Sequence, residues 1–158
     1  VYGVNHKNHN PDELSIYSAA SCTTNAITPV LKIINDAIGI KHGHIETIHA
    51  YTNDQNLVDN MHKKYRRGRA AAVNMVITET GAGKAVGKAL PELQGKLTSN
   101  AIRVPVPNGS LAILNLNLHA KTTKEVRPGG EPGRADTIFD QQRIGLLRHC
   151  GHRRIRHF

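Results

Sequence analysis

Ile27, Val30, Leu31, Ile34 and Ile38 recur at three- and four-residue spacing, Gly39 follows them, and a run rich in β-branched residues occupies 45–52. That order constrains the fold more than any other feature of the chain. An amphipathic helix has one apolar stripe to bury, and a strand delivered directly after it offers the nearest surface. Helices packed on one face of a sheet are therefore expected. Gly39 supplies the helix stop. Pro29 falls inside the helix, where it removes the hydrogen bond to Asn25 and is expected to kink the first turns.

The neighbouring segments extend this layer. Residues 1–4 read as the end of a strand, so the chain begins as if cut from something longer. Residues 6–13 are polar, with Asn10-Pro11-Asp12 as turn chemistry, and 14–20 form a short apolar stretch. A polar loop at 53–69 is too long to be idle in a compact domain. Residues 81–90 read as a short helix with Ala82, Ala85, Val86 and Ala89 on one face, followed by Pro91. Ile102, Val104 and Val106 alternate, as do Leu114, Leu116 and Leu118, with Pro107-Asn108-Gly109 between them as a hairpin signal. The expected class is α+β, with a mixed, largely antiparallel sheet and helices on one face. No internal repeat is present.

Composition narrows the function classes. At 158 residues the chain suits one ordinary domain. No run of about 18 apolar residues exists, so no membrane-spanning helix is expected. Two cysteines, Cys22 and Cys150, are too few for a disulfide framework and have the wrong pattern for a zinc site, so no metal is expected. A reducing, cytoplasmic setting follows as the default. The net charge of +9 is unevenly spread. Residues 1–126 hold ten Lys and four Arg, whereas 127–158 hold seven Arg and no Lys. The complete switch from Lys to Arg, with a Pro/Gly-rich opening, marks 127–158 as a basic tail that is disordered or read out of frame. Ordering such a polar segment costs about 1–2 kcal/mol per residue with little burial in return.

The chemistry gathers around Cys22. It stands at the first turn of the expected helix, where unpaired amides and the positive dipole end favour a thiolate. His49 lies 27 positions on, in the next strand, and a helix followed by an adjacent strand can bring the two together. Ser21, Thr23 and Thr24 add hydroxyls at the same turn. Thr80-Gly81 opens the second helix, a place where free amides hold anions. Arg103 sits between apolar neighbours on a strand and, if it faces inward, requires an anionic partner. GAGKAVGK at 81–88 matches neither of the common nucleotide-binding glycine loops and is set aside. The basic run at 63–69 reads as a solvated loop face more readily than as a nucleic-acid patch.

SCTTN at 21–25, HAYTNDQ at 49–55, RRGRAAA at 66–72, ETGAGKAVGKALPELQGKL at 79–97 and IRVPVPN at 102–108 resemble glyceraldehyde-3-phosphate dehydrogenase in order and spacing. The resemblance covers about residues 1–126 and does not extend into the tail. It implies that 21–126 form part of a catalytic domain and that 1–20 are the last piece of a dinucleotide-binding domain. It implies Cys22 as the nucleophile and His49 as its activating base. The thiolate would attack an aldehyde carbon, hydride would leave for NAD, and inorganic phosphate would cleave the resulting thioester. Ser21, Thr23, Thr80 and Gly81 map onto the family's site for the attacking phosphate. Thr52 and Arg103 map onto the site for the substrate's own phosphate, with Arg69 in the same neighbourhood. The 53–77 loop matches a family loop that lines subunit contacts, and a homotetramer is implied for the full-length family.

The departures matter equally. The Gly-rich dinucleotide fingerprint is missing, so the main NAD-binding residues are not found in this chain. Ala19 stands where the family usually has Asn. The parent activity implied is NAD-dependent, phosphorylating oxidation of glyceraldehyde 3-phosphate, while the isolated chain is expected to be inactive. Erythrose 4-phosphate is an alternative substrate, and a non-catalytic, basic RNA-binding fragment is the alternative from a different class.

Overall fold

The structure, a computed structural model, describes residues 1–121 apart from 11, 14, 15, 19 and 20, together with short strands at 136–140 and 143–147. Helix α1 spans Cys22–Ala37 and leads through Gly39 into strand β1, Ile40–Ala50. After a long loop come β2 (Val76–Glu79), α2 (Ala82–Ala89), β3 (Leu97–Val104) and β4 (Ser110–Leu118). The four strands form one sheet in the order β2-β3-β1-β4. β1 is parallel to β3 and antiparallel to β4, and β2 is antiparallel to β3. The sheet is thus mixed and largely antiparallel, as the sequence suggests.

The periodicity that predicts α1 is also what buries it. Ile27, Leu31 and Ile34 face inward and meet Ile40 and Ile45 of β1, Leu114 and Leu116 of β4, and Ala82 and Val86 of α2. Each large apolar side chain fully buried there contributes about 1.5–3 kcal/mol relative to exposure. At the N-terminus, Ser21 caps the helix by accepting the Thr24 N–H at 3.3 Å. The helix runs on through Pro29, and Thr28 in the same turns donates its hydroxyl back to Thr24 O at 2.6 Å. At the C-terminus, Gly39 takes φ +81° and its N–H reaches Ile34 O. That left-handed conformation is open to glycine without the Cβ penalty.

Several sequence expectations are corrected. Residues 1–4 are a tight turn, not a strand: the Val4 and Asn5 N–H groups both donate to Val1 O, and Gly3 has φ +79°. β1 begins five residues earlier than the β-branched run, because Lys41, His42 and His44 extend the strand without apolar alternation. β2, only four residues long, escaped the periodicity reading. The hairpin expected around Pro107-Asn108-Gly109 does not form, since β1 lies between β3 and β4. Two strand spacings of about 4.8 Å must be bridged, and residues 105–109 do so by crossing the end of β1. There the Ala50 N–H donates to Gly109 O at 3.1 Å and the Tyr51 N–H to Val104 O at 3.2 Å. Val106 consequently lies outside any strand.

Asn10 forms the expected turn, accepting the Asp12 N–H at 3.1 Å. Parts of the 14–20 stretch, including Ala19, lie outside the described residues, as does most of the 127–158 tail. Within that tail, β5 (Asp136–Asp140) and β6 (Arg143–Leu147) pair antiparallel. Among the described residues no helix is long and apolar enough to cross a membrane.

Candidate active site

The crossing of 105–109 over the end of β1 determines where the site lies. It puts His49 of β1 opposite Arg103 of β3 on one side and Ser110 of β4 on the other. Paired positions on adjacent strands share a face. The same face carries the buried Ile45 and Leu114, so His49 and Arg103 project toward the helices. α1 begins above them. Its first residue is the free, exposed Cys22, whose Sγ lies 3.8 Å from His49 Nε2. Two side chains 27 residues apart are thereby brought into hydrogen-bond reach of each other, with sulfur's longer contact distance. Being the first helical residue, Cys22 also presents a backbone N–H outside the helix ladder.

Arg103 completes the cluster. Its Nη1 donates to His49 Nδ1 at 3.0 Å and to Ala50 O at 3.1 Å, while Nδ1 itself is 2.7 Å from Ala50 O. Burial pushes the Arg103 pKa down, the like charge of Arg67 adds to that, and a Cys22 thiolate opposes it. Arg103 is half-buried and forms no ion pair among the described residues. An uncompensated guanidinium beside a thiol and an imidazole makes this cluster attractive to anions.

Most of the other expected site residues have partners of their own. Ser21 is half-buried, and its hydroxyl is occupied as the α1 cap; Thr23 occupies the next turn position after Cys22. Thr52 is exposed just beyond β1, and its carbonyl accepts the Gln55 N–H at 3.0 Å. Thr80 and Gly81 open α2, but two amides there are already engaged: Ala82 N–H donates to Thr80 Oγ1 and Gly83 N–H to Ser99 Oγ. Arg69 is exposed and paired with Asp59 at 3.0 Å. The arginine whose like charge adds to lowering the Arg103 pKa is Arg67, which the sequence reading did not single out. Arg67 is held by Asp54 and by two donations to Thr78 Oγ1, at 2.9 and 2.7 Å. Its signals in the sequence were membership of a basic run and of the RRGRAAA motif at 66–72. Within that run Lys64, Arg67 and Arg69 each face a carboxylate, which gives the loop a structural use for its charge. Among the described residues no three His, Cys, Asp or Glu side chains are grouped to hold a metal ion.

The chain matches the model for the glyceraldehyde 3-phosphate dehydrogenase C-terminal domain over residues 21–127. It belongs to the glyceraldehyde-3-phosphate dehydrogenase family. A glyceraldehyde-3-phosphate dehydrogenase-like protein of Pseudomonas aeruginosa (strain UCBPP-PA14) is 66% identical over 125 residues, covering 79% of this chain and 27% of that protein. A glyceraldehyde-3-phosphate dehydrogenase of Kitasatospora aureofaciens is 52% identical over 79% of this chain and 38% of its own length. Glyceraldehyde-3-phosphate dehydrogenase 1 of Bacillus subtilis (strain 168) is 50% identical over 79% of this chain and 37% of its own. The chain therefore spans between a quarter and two-fifths of these relatives' length. Membership makes it a segment of an oxidoreductase family, and its layer is the α+β one of that family's C-terminal domain.

Proposed function

We propose that the whole protein is an NAD-dependent, phosphorylating dehydrogenase of glyceraldehyde 3-phosphate and that residues 21–126 carry its nucleophile. The observation that supports this most is the 3.8 Å approach of Cys22 Sγ to His49 Nε2 at a helix start. In this reading the Cys22 thiolate attacks the aldehyde carbon, and a proton passes between His49 and the tetrahedral hydroxyl. The Cys22 amide helps hold the developing oxyanion. NAD supplies the hydride acceptor, and inorganic phosphate cleaves the acyl–sulfur bond to release 1,3-bisphosphoglycerate. Arg103 and Thr52 take the substrate's phosphate, with Arg69 in the same neighbourhood, while Ser21, Thr23, Thr80 and Gly81 take the attacking one.

Among the described residues β2 leads through Thr80-Gly81 into α2, but Val86 stands where the dinucleotide G-x-G-x-x-G needs its third glycine and β2 is antiparallel to β3, so they do not fit as the dinucleotide's main holder. In the proposal that task belongs to the portion the relatives have beyond the matched segment, with 1–20 as the last piece of that dinucleotide-binding domain, and subunits assemble as a homotetramer in the cytoplasm. The 158-residue chain alone is expected not to turn over. The test is a chimera: residues 21–121 replace the matching segment of the Bacillus subtilis relative. Phosphate-dependent NADH formation that Cys22→Ser abolishes supports the proposal; a folded chimera without such activity refutes it.

A further inference from the structure

The sequence contains one Asn–Gly step, Asn108-Gly109, and the fold leaves it outside any strand. It lies in the 105–109 crossing over the end of β1, with Asn108 exposed and Gly109 at φ +98°. The Gly109 N–H donates to Oδ1 of the Asn108 side chain at 2.7 Å. With a C=O bond of about 1.2 Å, the side-chain carbon Cγ lies within about 4 Å of that nitrogen. Cγ sits on the χ2 axis, so rotation about χ2 turns its face to the nitrogen without moving it away. Glycine brings no Cβ to obstruct the approach.

At Asn60-Met61 the following N–H also donates to the asparagine's own Oδ1, again at 2.7 Å. There, however, the backbone is held: the Asn60 N–H donates to Gly68 O at 2.9 Å and its carbonyl accepts from Asn56 Nδ2 at 3.1 Å. Asn108 makes no other hydrogen bond among the described residues, so its torsions can follow a ring closure. Asn115 and Asn117 are fixed within β4, in register with His44 and His42.

We infer that Asn108-Gly109 is a site of self-modification by deamidation. Solvent hydroxide takes the Gly109 N–H proton and the nitrogen attacks Asn108 Cγ. A C–N bond forms, and the side-chain nitrogen leaves as ammonia with a proton returned from solvent, which gives a cyclic succinimide. Water then opens one of its two carbonyls, leaving aspartate or isoaspartate at 108. No electrons are gained or lost. Isoaspartate routes the main chain through Cβ and so lengthens a crossing whose Gly109 O holds the Ala50 N–H at 3.1 Å. The modification therefore loosens the clasp over the end of β1.

The test ages the full 158-residue chain in mildly alkaline buffer and follows each asparagine by peptide mass spectrometry. Asn108 should convert at least about tenfold faster than Asn60, Asn115 or Asn117, which react only after local opening. A parallel sample in guanidinium chloride separates fold from sequence: folding should slow Asn108 by less than about tenfold. An isoaspartyl methyltransferase with labelled S-adenosylmethionine should label the peptide containing residue 108. Asn108→Gln, whose longer side chain cannot close the same ring, should take no label there. In the isoaspartyl fraction, separated by its added negative charge, the Ala50 amide should exchange with solvent faster than in the fresh chain. Conversion of Asn108 no faster than that of Asn60 overturns the inference, as does a larger slowing by the fold. An Ala50 amide that exchanges equally in both forms overturns the loosening.

Discussion

Two arginines two positions apart should differ sharply in what they hold together. Arg67 is 15% exposed in its side chain and contacts Asp54 and Thr78; Arg69 is 59% exposed and contacts Asp59, itself 54% exposed. Arg67→Met keeps most of the buried stem and removes the guanidinium. Its two donations converge on one acceptor oxygen, Thr78 Oγ1, so they count as one strong charged interaction of about 1.5–3 kcal/mol. The pair with Asp54, which is 56% exposed, adds no more than about 1 kcal/mol after solvent screening. The expected loss is about 2–3 kcal/mol, since the two share a donor group. Arg69→Met should cost no more than about 1 kcal/mol, as exposed pairs do. Equilibrium urea unfolding gives both values, and limited proteolysis reports whether the 53–75 loop has come off β2. If Arg67→Met falls within about 0.5 kcal/mol of wild type and cleavage of the loop is unchanged, the anchoring role assigned to Arg67 is wrong.

Other substitutions test the parts that position the site. Ser21→Ala removes the cap beneath Cys22 and should cost about 1 kcal/mol, read as a lower urea midpoint. Leu31→Ala, at a position with no exposed surface, should cost about 2–5 kcal/mol, with a value under about 1 contradicting the core described. Gly43→Ala would place its Cβ 2.8 Å from Asn115 O and 2.6 Å from Leu116 Cδ2, so destabilisation by about 1–3 kcal/mol is expected in thermal melts. Gln55 is 6% exposed and neither amide atom has a partner among the described residues, so Gln55→Met should stabilise the fold by about 1–3 kcal/mol, read as a higher urea midpoint.

What could be read in the sequence was what short-range physics governs. α1 was legible because Ile27, Leu31 and Ile34 fall on one face, and its C-terminal end because Gly39 carries stop chemistry, whereas the capping role of Ser21 emerged only from the fold. The Cys22–His49 approach was legible because helix and strand are consecutive. Strand pairing was not. The turn residues Pro107-Asn108-Gly109 are compatible with a hairpin, and nothing local in them encodes the insertion of β1 between the strands they connect. β1 itself was half hidden, because His42 and His44 alternate with Gly43 and carry no apolar signal, although the strand continues through them. Arg67 and Arg69 looked alike in a basic run. Only the fold shows that one is sequestered against Thr78 while the other faces solvent. The contact between Arg103 and His49 was invisible for the same reason: Arg103 reaches the ring from a non-consecutive strand.

The most direct test is the pH dependence of iodoacetamide alkylation of the full chain, resolved by peptide mass spectrometry. The chain's two cysteines allow an internal comparison, because Cys150 lies outside the family match and serves as the reference thiol. A free thiol titrates near pH 8.5, so a reference cysteine reacts slowly at pH 6–7. The account predicts that Cys22 reacts faster than Cys150 in that range and that His49→Ala removes the advantage. Equal rates for the two cysteines across that range, or a Cys22 advantage that survives His49→Ala in a folded chain, would contradict the assembled Cys22–His49 pair.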